Sequence, residues 1–114
     1  MNAFDKMIAR QSAIASRLCI GLDTELSKIP EHLHGLESPI LAFNQQIIDA
    51  TNEYASAYKI NTAFYEQYGR SGWEALKQTI EAITKEIFPI ADAKSADIGN
   101  TTSAYARAVF DDLN

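Results

Sequence analysis

The chain has 114 residues, 10 Lys and Arg against 15 Asp and Glu for a net charge of −5, and 46% hydrophobic residues. That length holds one domain with a modest core, and the acidic balance speaks against a nucleic-acid or anionic-membrane binder, which needs a basic face. No apolar run approaches the roughly 18 residues of a membrane span, the start Met1–Lys6 has no apolar signal core, and a lone cysteine, Cys19, excludes an internal disulfide, so a cytoplasmic protein is expected.

Residues 4–16 predict a helix with Phe4, Met7, Ile8 and Ile14 on one side. Arg17–Asp23 is a short, mostly apolar run ending in an acid and predicts a buried strand. A loop with Pro30, His32, His34 and Gly35 follows. Ser38-Pro39 then opens a helix, serine as N-cap and proline at the first helical position. Its stripe, Ile40, Phe43, Ile47, Ala50 and Tyr54, has helical spacing. Ala57–Asn61 is the second predicted strand. Ser71-Gly72-Trp73-Glu74 has the form of a capping box, and Trp73, Leu76, Ile80 and Ile83 continue that helix on one face. Pro89 opens a third strand, Ile90–Lys94, and a last helix begins at Thr101 or Thr102.

Strand–helix alternation, three times over after an initial helix, calls for a parallel sheet with right-handed crossovers. Asp23, Lys59 and Asp92 recur at intervals of roughly 35 residues, close to the roughly 31 per unit of an eight-unit barrel. The predicted fold is therefore α/β: an N-terminal helix and the first three βα units of a TIM (β/α)8 barrel. Residues 1–114 form one segment without an internal boundary. Three units cannot close a barrel and leave two raw sheet edges, so the remainder of the barrel is expected to lie outside this sequence.

Each predicted strand ends in an ionisable group: Asp23, Lys59, then Asp92 and Lys94. Strand alternation puts Ile90, Asp92 and Lys94 on one face, and Ala91 and Ala93 on the other. A single charged residue at a strand end is most simply a solvated one. Four in three consecutive units, all aimed at the rim where barrel active sites lie, read instead as a catalytic cluster. His32 and His34 have metal-ligand spacing but no acid or cysteine cluster beside them, so they read as loop residues and no metal is expected. Cys19 reads as a buried small hydrophobe, since no histidine partner lies near it in sequence. Trp73, Tyr65 and Tyr68 read as core or shell aromatics. Asn100-Thr101-Thr102 fits a glycosylation sequon, but nothing in the sequence points to secretion.

The segment Asp92-Ala93-Lys94-Ser95-Ala96-Asp97-Ile98-Gly99-Asn100-Thr101 carries the D-x-K-x-x-D-I-G-N-T pattern and resembles the orotidine 5′-phosphate decarboxylase family. Leu18–Asp23 resembles that family's first strand and Tyr58–Glu66 its second, while Gly69–Trp73 resembles the bacterial group known as type 2. The likeness covers essentially the whole chain and the first three units of the barrel. It implies a cofactor-free lyase that converts orotidine monophosphate to uridine monophosphate in pyrimidine synthesis. It also implies roles. Lys94 donates the proton to C6 of the pyrimidine, and Asp92 sits beside the departing carboxylate and holds Lys94. Lys59 and Asp23 contact the ribose hydroxyls. Asp97 and Thr101 reach into the site of a neighbouring subunit, making a homodimer.

A fixed ammonium at C6 stabilises the developing anion and then protonates it, and acids at 92 and 97 favour its charged form. The family often has Arg-Gly where this chain has Ser95-Ala96, at positions without assigned chemistry. The nearest enzymatic alternative is a magnesium-dependent keto-sugar-phosphate decarboxylase or synthase of the same barrel superfamily. Those enzymes share D-x-K-x-x-D but follow the second acid with Ala-Gly rather than Ile98-Gly99-Asn100-Thr101. The remaining alternative is a non-catalytic barrel fragment.

Overall fold

The computed structural model describes residues 1–113. Three parallel strands, β1 (Leu18–Gly21), β2 (Ala55–Asn61) and β3 (Phe88–Asp92), lie side by side in that order. Helix α1 (Ala3–Ile14) precedes them. Helix α2 (Pro39–Thr51) follows β1 after two 3-10 turns at Leu26–Lys28 and Glu31–Leu33. A single turn α3 (Ala63–Glu66) and helix α4 (Gly69–Ala82) follow β2, and α5 (Gly99–Phe110) follows β3. The order is the strand–helix alternation expected of a partial barrel.

The core lies on one side of the sheet. Leu22, Tyr58 and Ile60 point into it from the strands and meet Ile40 and Ile48 of α2, Tyr65 of α3, and Ala75 and Leu76 of α4. The opposite side carries Cys19, Lys59 and Asn61. Cys19 is exposed, contrary to the expected burial. It stands on an edge strand and alternates with Ile20 and Leu22, which take the helix side, so its own side chain points away from the core.

Local chemistry explains most element ends and corrects several expected ones. Asn2 caps α1, its Oδ1 accepting the Asp5 N–H at 2.9 Å, and Ala15 ends the helix in the left-handed region at φ 51°. The expected apolar side of α1 finds no core: Phe4 is 64% exposed and no residue of the helix is buried. Arg10 ties it down instead, its guanidinium donating to the carbonyls of Ala55 (3.2 Å) and Asn52 (2.6 Å).

In α2 the buried line is Ile40, Asn44 and Ile48, so the stripe expected through Phe43, Ala50 and Tyr54 is rotated off the core. Ser38 holds the N-cap position with Pro39 next, but only its carbonyl caps, accepting from Ala42 N–H at 3.0 Å. The capping box at Ser71 does not form. Helix α4 begins two residues earlier, at Gly69 with φ 63°. Ser71 Oγ therefore donates to the Tyr68 carbonyl (3.1 Å) and Glu74 accepts from Gln78 (2.5 Å).

Strands β2 and β3 each begin two residues before the expected start. Pro89 sits inside β3 opposite Tyr58, on a strand paired on one side only, where a missing N–H is tolerated. Helix α5 begins at Gly99, not at Thr101 or Thr102, with φ 48° at that glycine. Tyr65 is fully buried, and Tyr68 and Trp73 pack against the core. No helix among the described residues is long and apolar enough to cross a membrane.

Candidate active site

The C-terminal ends of the three strands bring four charged side chains into one row. Pairing of β1 with β2 extends one step past Gly21, because Leu22 N–H donates to the Lys59 carbonyl at 2.9 Å. Asp23 follows, and its Oδ1 accepts the backbone N–H of Asn61 at 2.9 Å. Its Oδ2 lies 3.8 Å from Lys59 Nζ. Lys59, in register with Gly21 on one side and Ile90 on the other, reaches across to Asp92 Oδ2 at 3.5 Å. Lys94, two residues past Asp92 and beyond the end of β3, donates to the same Oδ2 at 2.5 Å. The row alternates acid, base, acid, base.

This row is a poor stabiliser of the fold. Lys94 is 71% exposed and Lys59 40%, and ion pairs so open to water contribute little. Four charges that add little stability, held in register by three strands, are instead suited to meeting a charged ligand. The hydrogen bond from Lys94, with the charge of Lys94 and then of Lys59 beside it, holds the Asp92 carboxyl below its ordinary value of 3.8. A depressed carboxyl pairs fully above the ordinary value and releases its partner only as pH falls through the lowered one. In a carboxyl-carbon NMR titration, Asp92 is expected to have its midpoint below 3.8, and Lys94→Ala to move it up. A midpoint at or above the ordinary value contradicts the Lys94 contact.

Asp97 and Thr101 stand apart from the row. Asp97 Oδ1 accepts the Ile98 N–H at 2.8 Å, and its backbone N–H donates to Thr102 Oγ1 at 3.0 Å. Thr101 is exposed on the first turn of α5. Among the described residues Asp92 is the one acid that contacts Lys94, so the expected second flank at Asp97 is not made within a single chain. His34 Nε2 lies 3.2 Å from the Ile29 carbonyl, and among the described residues no three His, Cys, Asp or Glu side chains converge on a point that could hold a metal.

Two features of the site escaped the sequence reading. One is Asn61, whose backbone orients Asp23. The other is a buried group behind the strands, Thr24, Asn44, Tyr65 and Thr79. Its signal is Asn44 itself, a polar residue at the centre of a line of isoleucines spaced four apart.

The sequence model of the orotidine 5′-phosphate decarboxylase / HUMPS family matches residues 16–113. The chain belongs to that family. Among curated members of the orotidine 5′-phosphate decarboxylase group, it is 57% identical over 102 residues to the enzyme of Flavobacterium johnsoniae, covering 87% of this chain and 37% of that protein. It is 51% identical over 108 residues to that of Herpetosiphon aurantiacus, covering 95% and 40%. The fold superposes on the OMP decarboxylase of Leishmania donovani with a TM-score of 0.81 at 37% identity, over all of this chain and 42% of that one. It superposes on the UMP synthase of the same organism with a TM-score of 0.84, over 23% of that chain. The chain thus spans a little over a third of the curated family members it matches.

Proposed function

We propose that residues 1–114 are the first three βα units of an orotidine 5′-phosphate decarboxylase barrel, a lyase of pyrimidine synthesis acting in the cytoplasm. The observation that carries this reading is the row Asp23–Lys59–Asp92–Lys94 at the C-terminal ends of three consecutive parallel strands. In orotidine monophosphate the bond from C6 to the carboxylate breaks, carbon dioxide departs, and the electron pair stays in an sp² orbital at C6 with no carbonyl placed to delocalise it. An ammonium fixed at that carbon stabilises the pair and supplies the proton. Lys94 fits the role because its Nζ is open to solvent on one side and held by Asp92 on the other. Asp92 faces the leaving carboxylate, Lys59 and Asp23 the ribose hydroxyls. Exposed Asp97 and Thr101 suit a homodimer in which they complete the partner's site. No cofactor takes part.

Barrels of this kind hold phosphate with loops after strands 7 and 8, outside the three strands described. The chain alone is therefore expected neither to hold the nucleotide well nor to turn it over. Joined to the remaining part of the Flavobacterium johnsoniae enzyme, it is expected to consume orotidine monophosphate, read by loss of the orotate absorbance, with no effect of a chelator. Magnesium-dependent turnover of a keto-sugar phosphate in its place would favour the other branch of the superfamily. A folded barrel inactive in both assays leaves the non-catalytic reading.

A further inference from the structure

Behind the strands, on the helix side of the sheet, lies a polar cluster that faces no solvent and no substrate. Thr24 Oγ1 donates to Asn44 Oδ1 at 2.5 Å. Asn44 Nδ2 donates to the Tyr65 hydroxyl at 2.8 Å and to Thr79 Oγ1 at 2.9 Å. The Tyr65 hydroxyl donates to the Leu22 carbonyl at 2.5 Å. Thr24 is 6% exposed and the other three side chains not at all. The directions follow from counting hydrogens. A phenol has one, and Tyr65 gives it to a carbonyl, so it must accept from Asn44. That turns the Asn44 amide nitrogen toward Tyr65 and leaves its oxygen for Thr24. No buried side-chain nitrogen or oxygen among the described residues lacks a partner.

Apolar side chains could fill the same space without desolvating four polar groups. A fully satisfied buried network adds something they lack, a defined geometry. Here the geometry is that of a backbone. Just past the end of β1 the network holds the Leu22 carbonyl and the Thr24 side chain, one on each side of Asp23, and the Leu22 and Thr24 side chains are both buried. In an extended chain, neighbours fixed on one face leave the residue between them aimed at the other. Asp23 is aimed at the open face, where it accepts from Asn61 N–H and meets Lys59.

We propose that Thr24, Asn44 and Tyr65 are positioning residues that set the direction of the Asp23 carboxylate and, through it, of the Lys59 ammonium. The substrate consequence, ribose binding, rests on the decarboxylase reading; the positioning itself does not. Burial pushes the Tyr65 hydroxyl up to about 12, so it remains a donor throughout the working range of any assay. Thr79, on α4, bonds Asn44 but neither Thr24 nor the Leu22 carbonyl, and belongs to the packing of α2 against α4. It is the internal control.

The test uses the joined full-length barrel with Thr24→Val, Thr24→Ser, Tyr65→Phe and Thr79→Val. Thr24→Val and Tyr65→Phe are expected to raise KM by about tenfold or more, with a smaller change in kcat, as a displaced substrate-binding group does. Thr24→Ser keeps the donor and is expected to restore the parent KM. Thr79→Val is expected to lower the melting temperature and leave KM alone. In parallel, the backbone amide resonance of Asn61 is expected to move in Thr24→Val and Tyr65→Phe and to stay in Thr79→Val. If Tyr65→Phe fails to fold, the Thr24 pair decides. An unmoved Asn61 resonance and unchanged KM in Thr24→Val, or equal shifts in Thr79→Val, overturn the proposal. An inactive parent barrel removes the decarboxylase reading alone, because the Asn61 resonance then judges the positioning without turnover.

Discussion

Lys94→Ala in the joined full-length barrel is expected to lower kcat by about 10⁵-fold or more, because two separable contributions go at once. Proton donation by a placed side chain is worth roughly 10²–10⁴-fold, and a preorganised charge aimed at the developing anion roughly 10²–10³-fold. The fold should not notice. Lys94 is 71% exposed, lies past the end of β3, and pairs with Asp92 in water, so the melting temperature is expected to stay at the parent value. Lys94→Arg separates the two contributions. A guanidinium keeps the charge but does not yield a proton at any working pH, so Arg should recover part of the electrostatic factor and little of the proton transfer. Near-normal turnover in Lys94→Ala would remove the assignment of the ammonium as proton donor, and a large loss of melting temperature would recast Lys94 as structural.

The row of charges was legible in the sequence for a physical reason. Strand side chains alternate strictly, and an ionisable residue terminating an apolar run can only be carried to the rim of a parallel sheet. Asp23, Lys59, Asp92 and Lys94 all declare themselves in that way. The same rule hid Asp23's partner, since Asn61 contributes a backbone N–H that every residue possesses. The face of α2 is only partly legible: Ile40 and Ile47 do meet the core, but an apolar stripe passes over Asn44, the one buried polar residue in the Ile40–Ile48 line. Its role is tertiary, because its three side-chain hydrogen bonds reach Thr24 beyond β1, Tyr65 of α3 and Thr79 of α4. Cys19 was misplaced because burial of a strand residue depends on what covers each face of the sheet, a tertiary fact. The capping box fails at Ser71 because α4 starts two residues earlier, at Gly69 with its positive φ, and glycine in a sequence does not say whether it serves a turn or a close approach.

Gly72 serves a close approach, and its replacement carries the largest expected effect on stability. A Cβ at position 72 would lie 1.9 Å from the Tyr65 carbonyl oxygen, 2.9 Å from its carbonyl carbon and 3.0 Å from Tyr68 Cβ. The obstacle is backbone, so no side-chain rotation relieves it. Nor can the turn at α3 retreat freely, because Tyr65 is tied by its hydroxyl to Leu22 and Asn44. Helix propensity alone would favour Gly72→Ala by about 1 kcal/mol. Overpacking a filled site costs about 1–3 kcal/mol and more where backbone must shift, so the clash wins. The net expectation is a loss of about 2 kcal/mol or more, read as a lower urea midpoint at unchanged slope. Gly35→Ala is the matched control: a Cβ there meets nothing within 4 Å, and the midpoint is expected to hold or rise slightly. A raised midpoint in Gly72→Ala would mean that α3 and α4 do not approach as closely as described. A lowered one ties the second turn of α4 to the same Tyr65 that anchors the strand end beneath Asp23, so the variant that loosens the fold is also expected to raise KM in the joined barrel.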